Sequence, residues 1–374
     1  MSPVRALRDP FHHRSRVEAL RQQVGEMATS LARPVTLMEV CGTHTHAIAA
    51  AGLRHLLPAN VRLVAGPGCP VCVTPVDYLD HALALAAQPD VTLCTFGDLM
   101  RVPASRRDSL ERASARGADI RVVYSARDAL QVARTRPQRK VVFLAVGFET
   151  TMPTVAAALA EAEALGLANF MILSGSKVIE PPLRALAADP DLHLDGFLLP
   201  GHVSVIVGAD FYDFLRRDCR VAAAIVGFAP VDILRGVAEL LRQISEGRPQ
   251  VRNLYARVVT AAGNRTARAM LHEFFEPTDT NWRGLGRIAS SGLRLRPRWK
   301  HRDATSLPVE LPAPLEPRGC RCGDVLRGAI APPACPLFAR GCDPEHPIGA
   351  CMVSSEGSCA AWYRHERHAA GAGA

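Results

Sequence analysis

Four short, mostly apolar runs constrain this chain most, because each stops at an unusual motif. TLMEV leads into CGTHTH, VRLVA into GPGCPVC, VVFLAV into GFETTMP and GFLLP into GHVSV. A strand that is apolar throughout must be covered on both faces, and such strands belong mainly to parallel sheets flanked by helices. Further runs at 91–95, 120–123, 170–173 and 221–226 alternate with stretches of helical period. The expectation is an α/β protein whose chemistry gathers where strands end, since open parallel sheets hold ligands at their carboxyl edges.

The runs fall into two consecutive series separated by the polar segment 126–140. This predicts two parallel-sheet, Rossmann-like α/β domains, over 34–128 and 139–229, facing each other across a cleft. Ahead of them, Val17, Leu20, Val24, Met27 and Leu31 recur at helical spacing, so 1–33 is expected to supply an amphipathic helix that packs on another element. From 230 onward the pattern is mostly helical, with an irregular, proline-rich stretch at 297–317. Residues 230–364 therefore read as a third, mostly helical and irregular, cysteine-rich domain, and 365–374 as a disordered tail. Neither G-x-G-x-x-G nor G-x-x-x-x-G-K-[ST] occurs, so the standard phosphate loops are not expected.

Composition narrows the chemistry. The net charge of +8 over 374 residues is carried almost wholly by Arg, since Lys140, Lys177 and Lys300 are the only lysines. Scattered arginines without a dense basic run or interleaved aromatics do not suggest a nucleic-acid partner. No apolar run is long enough to cross a bilayer and the first thirty residues contain no signal-type apolar segment, so no membrane is expected and the location is read as cytoplasmic. In a reducing compartment the eleven cysteines imply metal or redox chemistry rather than structural disulfides.

Cys41 opens a turn that also holds His44 and His46, a sulfur and nitrogen donor set suited to iron or zinc. Glu39, two residues earlier on the strand, shares a face with Cys41 and is expected to support it. In GPGCPVC the glycines and prolines stiffen the loop around Cys69 and Cys72. Thr74, Pro75 and Asp77 read as N-cap, N1 and N3 of the next helix, whose N-terminus would favour a thiolate. The loop itself is expected at the surface. A C-x-x-C pair can bind zinc, bind an iron–sulfur cluster or cycle with a disulfide.

Glu149, Thr150 and Thr151 open a helix, where Thr151 suffices as a cap, and His202 follows a strand end. Cys94 and Cys219 read as packing or incidental residues. Six thiols between Cys320 and Cys359, separated by prolines, form a metal framework. Their spacing fits neither the ferredoxin run nor paired zinc knuckles and leaves iron–sulfur and zinc open.

Together CGTHTH, GPGCPVC, TFGDLMRVP, AVGFETTMPT, LLPGHVSVI, NWRGLGRIASSGL and CGDVLRG through CMVSSEGSCAAWY resemble, in order, the hydrogenase maturation factors of the HypD family, from about residue 35 to 364. The resemblance implies a scaffold rather than a turnover enzyme. It would help build the Fe(CN)2CO group of nickel–iron hydrogenases with a HypC-type chaperone and a HypE-type cyanide donor that HypF charges. It further implies that Cys41 holds the transient iron jointly with a cysteine of the chaperone, with His44 close by. Cys69 and Cys72 would be the redox pair, with Glu149 and His202 among the active groups. Cys322, Cys335, Cys342 and Cys359 would bind a 4Fe-4S cluster, Cys320 and Cys351 being alternates. The competing readings are an iron–sulfur thiol–disulfide oxidoreductase and a zinc-binding structural module.

Overall fold

Strand pairing divides the chain differently from the two consecutive series of apolar runs. The computed structural model describes residues 10–367. Its strands are β1 (Val35–Glu39), β2 (Val61–Ala65), β3 (Val91–Thr95), β4 (Ile120–Val122), β5 (Lys140–Gly147), β6 (Phe170–Ser176), β7 (Gly196–Pro200), β8 (Ala222–Val226), β9 (Val251–Asn253), β10 (Phe275–Trp282) and β11 (Gly286–Leu295). The order β2-β1-β7-β8-β9 makes one five-stranded sheet and β4-β3-β5-β6 a four-stranded one. Every pairing in both is parallel.

Each of the eight apolar runs is a strand, and the α/β class with parallel sheets is observed. The boundaries 34–128 and 139–229 are corrected. β3 to β6 form one unit, set between β2 and β7 of the other. The helix Pro230–Ser245 and β9 complete the first sheet rather than opening a third domain. An apolar run reports burial on two faces, not the identity of the neighbour, so pairing was not legible from it. The polar segment 126–140 does not separate two units: Ala126–Thr135 is a helix inside the second one, with Ala126, Ala129, Leu130 and Ala133 buried at helical spacing. Small alanines between arginines hid that apolar stripe.

The N-terminal helix Pro10–Thr29 lies along Pro230–Ser245, with Val24 and Ala28 joining Ile233, Leu234, Val237 and Leu241 in one core. Beyond the sheets, β10 and β11 form a long antiparallel hairpin that the sequence reading did not anticipate. It docks on the end of β6, where Val178 N donates to Ser291 O at 3.0 Å and Ser176 Oγ to Leu293 O at 3.0 Å. The helix Ser358–His365 returns to pack on the helix Gly42–Ala50 that follows β1, and Glu366 is buried in an ion pair with Arg54 at 2.6 Å. The disorder expected from 365 therefore does not extend to 365–367, and 368–374 lie outside the described residues. Among the described residues no helix is long and apolar enough to cross a membrane.

Candidate functional site

Cys41 follows β1 and caps the helix Gly42–Ala50. Its backbone N–H donates to Glu39 Oε2 at 3.0 Å, and Thr45 Oγ1 donates to the other carboxylate oxygen, so Glu39 ties the turn from beneath. Burial pushes the Glu39 carboxyl up to about 8 and the Cys41 thiol up to about 12. A thiol in such surroundings ionises only when a cation stands before it. His44 is fully buried and its pKa is held down to about 4 by desolvation, so the ring is neutral. Nε2 donates to Gly227 O at 3.0 Å, which leaves Nδ1 as a buried lone pair with no partner.

The second loop lies directly on the first. Gly42 N donates to Gly68 O at 3.1 Å, and a Cβ on Gly68 would stand 2.2 Å from Cys41 N. Only glycine permits this approach. Cys69 and Cys72 are joined by a disulfide, with Cys69 capping the short helix Pro70–Val73 through an N–H bond from Cys72 at 3.2 Å. The expected surface loop is corrected: both cysteines are buried and belong to the largest apolar cluster. Thr74 is likewise no N-cap for the next helix. It ends Pro70–Val73, donating to Pro70 O, and Pro75 precedes Val76–Ala86.

His202 is exposed after β7 and stacks on Phe228 at 4.1 Å, and Phe228 also faces His44 at 5.0 Å. Glu149 is not in this cluster. It accepts from Ile179 N at 2.9 Å, keeps Oε2 buried without a partner, and floors a separate cleft of ≈ 650 Å³ walled by Phe211 and Leu293 and edged by Arg184, Arg268 and His272. Tyr212 is fully buried, which pushes its phenol up, and its hydroxyl lies 3.2 Å from Ser204 Oγ. Thr151 makes no side-chain cap; it packs over Gly147 instead.

Burial raises the Glu149 carboxyl to about 7. A raised carboxyl favours the folded state below the unfolded pKa and loses that advantage as pH climbs through the folded one. Between pH 4.5 and 8 this group should therefore cost ~3 kcal/mol of stability. Glu149→Gln is expected to unfold at higher urea than the parent at pH 8 and at nearly the same urea at pH 4.5. Equal midpoints at pH 8 would contradict the assignment.

The C-terminal cysteines converge. Cys322 Sγ lies 2.7 Å from Cys351 Sγ, and Cys351 in turn is hydrogen-bonded to Cys359. Cys320 is hydrogen-bonded to Cys322, while Cys335 and Cys359 bear on Cys342. Thiol hydrogen bonds from Cys320 and Cys351 hold the Cys322 thiol well below its ordinary range. All but Cys320 are buried. The donor set, soft sulfur in an apolar shell, fits an iron–sulfur cluster or zinc. Among the described residues no three or more His, Cys, Asp or Glu side chains are arranged around a single ion position.

The HypD family profile, described as the hydrogenase formation hypA family, matches residues 15–366. The chain belongs to the HypD family. Hydrogenase maturation factor HypD of Rhizobium leguminosarum bv. viciae is 46% identical over 360 residues, covering 93% of this chain and 94% of its own length. The factor of the same name from Escherichia coli K12 is 46% identical over 356 residues, with 94% of both chains covered. That of Rhodobacter capsulatus is 44% identical over 364 residues, with 96% of both covered.

Within this HypD-family chain, the structure gathers Cys41, His44, Cys69, Cys72 and His202 and sets Glu149 in a separate cleft. It also places groups that the sequence reading did not single out. Glu356 accepts from Thr43 Oγ1 at 2.6 Å and covers Gly42, so the cysteine-rich segment closes over the CGTHTH turn. Glu356 lies within the recognisable CMVSSEGSC stretch, which was the available signal. Tyr212 and Phe228 carried none.

Proposed function

We propose that this chain is a hydrogenase maturation factor that acts as a scaffold on which the Fe(CN)2CO group is assembled and carried. The observation supporting this most directly is the stacking of the GPGCPVC loop on the Cys41 turn, which puts a single thiol and the Cys69–Cys72 disulfide in one buried neighbourhood. Cys41 is the protein's ligand to the iron cargo, shared with a cysteine of a HypC-type chaperone. The cation in front of it does what the apolar surroundings oppose, namely ionising the thiol. His44 offers its free Nδ1 as acceptor beside that thiol, and His202, at the solvent end, guards the approach. Cyanide is delivered by a HypE-type donor charged by HypF. Cys69 and Cys72 alternate between disulfide and dithiol, and Glu149 supplies a carboxyl that titrates near neutrality.

Cys322, Cys335, Cys342 and Cys359, with Cys320 and Cys351 as alternates, would hold a 4Fe-4S cluster. When bound, that cluster supplies electrons one at a time. Anaerobic purification with a HypC-type partner, followed by infrared spectroscopy of the CN and CO stretching region, tests the proposal. Bands accompanied by iron and acid-labile sulfide are expected; a folded complex with neither bands nor sulfide rejects it. The closed Cys69–Cys72 ring favours one second reading, a thiol–disulfide oxidoreductase, which turnover of a disulfide substrate without a partner protein would support.

A further inference from the structure

The hairpin turn between β10 and β11 enters the protein between its two groups of sulfur atoms. Arg283, at that turn, is only 4% exposed. Its backbone N–H donates to Val73 O at 2.9 Å and its Nε to Thr74 O at 2.9 Å, so it is fastened to the end of the helix that carries Cys72. The next residue, Gly284, has φ +82, and a Cβ there would stand 2.2 Å from Gly323 Cα, beside Cys322. The helix Ala350–Val353, which bears Cys351, packs against Pro70–Val73 from the same segment. All these cysteines share one apolar cluster.

The guanidinium is incompletely used. Nη1 reaches Glu316 at 3.5 Å, a carboxylate more than half exposed and so a weak counter-charge. Nη2 is buried with no acceptor, although a buried charged donor without a partner is costly. The other charged groups nearby are spoken for: Lys177 donates to Thr280 and Asn281 O, and Asp77 accepts from Asn281. The sulfur that feels the guanidinium charge is Cys322, whose thiol it helps to hold below the ordinary range.

We propose that Arg283 is a positioning residue that joins the two sulfur centres, its buried positive charge stabilising the reduced form of Cys69 and Cys72 while its free N–H is offered to sulfur at Cys322. The inference rests on the redox reading of the Cys69–Cys72 pair. Opening the ring needs two electrons and two protons. In the test below dithiothreitol supplies both and leaves as its cyclic disulfide. A fixed cation at the end of the helix that carries Cys72 favours the thiolate that forms when one of the two thiols then loses its proton, which draws the equilibrium toward reduction.

The full chain, its Arg283→Gln variant and its Arg283→Lys variant are equilibrated anaerobically over a series of reduced and oxidised dithiothreitol ratios. The fraction of open Cys69–Cys72 is then read by differential alkylation and peptide mass spectrometry. Arg283→Gln is expected to favour the disulfide about tenfold, equivalent to ~30 mV for two electrons. Arg283→Lys, which keeps the charge, should stay within threefold of the parent.

A parent pair that opens while Arg283→Gln stays within twofold of it overturns the role of Arg283 and leaves the redox reading standing. Arg283→Lys moving as far as Arg283→Gln shows a merely structural role and also overturns it. If Arg283→Gln is unfolded by circular dichroism, Arg283→Lys decides: a shift within threefold supports the proposal and a larger one rejects it. A parent pair that never opens rejects both the proposal and the redox reading beneath it. Because the readout needs no iron, a colourless protein showing the tenfold shift would sustain Arg283 while removing the cluster.

Discussion

Cys41→Ser is expected to remove the CN and CO infrared bands from the complex with the HypC-type partner almost completely, to below about a tenth of the parent's intensity. Serine is nearly isosteric, and the contacts that shape the turn are made by backbone: Cys41 N to Glu39, and Thr45 N to Cys41 O at 3.0 Å. The fold and the C-terminal cysteines should therefore be untouched, and the thermal midpoint should match the parent's. What changes is the donor. A hydroxyl is a hard, weakly acidic ligand where low-spin iron calls for soft sulfur. Iron and sulfide content of the variant provide the internal control. Bands of full intensity on the serine variant would remove Cys41 from the iron site.

The second large effect is structural. Gly68→Ala would place a Cβ 2.2 Å from Cys41 N, 2.3 Å from Val40 C and 2.4 Å from Cys41 Cα, all backbone atoms that cannot step aside. The two loops would have to separate, and with them the Gly42–Gly68 hydrogen bond. A loss of ~3 kcal/mol or more is expected in urea unfolding, or failure to accumulate soluble protein. Gly25→Ala is the matched control. Gly25 lies in the helix Pro10–Thr29 with nothing within 4 Å of a built Cβ, so that change should stabilise by up to ~1 kcal/mol. Gly68→Ala within 0.5 kcal/mol of the parent would mean that the loops do not meet as described; that threshold is about the scatter of ordinary surface substitutions.

This glycine also illustrates what could be read in advance. GPGCPVC was legible as a stiff segment, and TLMEV, VRLVA, VVFLAV and GFLLP as strands leading into motifs, because both are local properties. Burial of the loop was not. Gly66 and Gly68 read as turn residues, whereas what they permit is close approach, which depends on chain brought in from elsewhere: Met38 and Val40 beside Gly66, Cys41 beside Gly68. The same limit hid the hairpin of β10 and β11. Its burial alternates over FEPTDTNW, with Thr, Asp and Asn between the covered ends, so neither period stood out. Arg283 and Glu356 lay inside recognisable motifs, yet a buried arginine and a clamping glutamate have no signature apart from the surfaces they touch.

The interleaved strand order carries a consequence for how the molecule comes to exist. During synthesis β1 and β2 emerge first, with Cys41, Cys69 and Cys72 attached, but β1 must wait for β7, which begins only at Gly196. Meanwhile β3 to β6 emerge as an uninterrupted run and can pair among themselves at once. The second sheet is thus finished while the first is still half made. Throughout that interval the three thiols of the nascent chain have neither the cover of Glu356 nor the support of the Arg283 hairpin, both of which arrive last. Completion of the Cys41 neighbourhood is postponed to the final stretch of translation, so an interrupted chain would carry the strands of the second sheet while the Cys41 turn still lacked its cover.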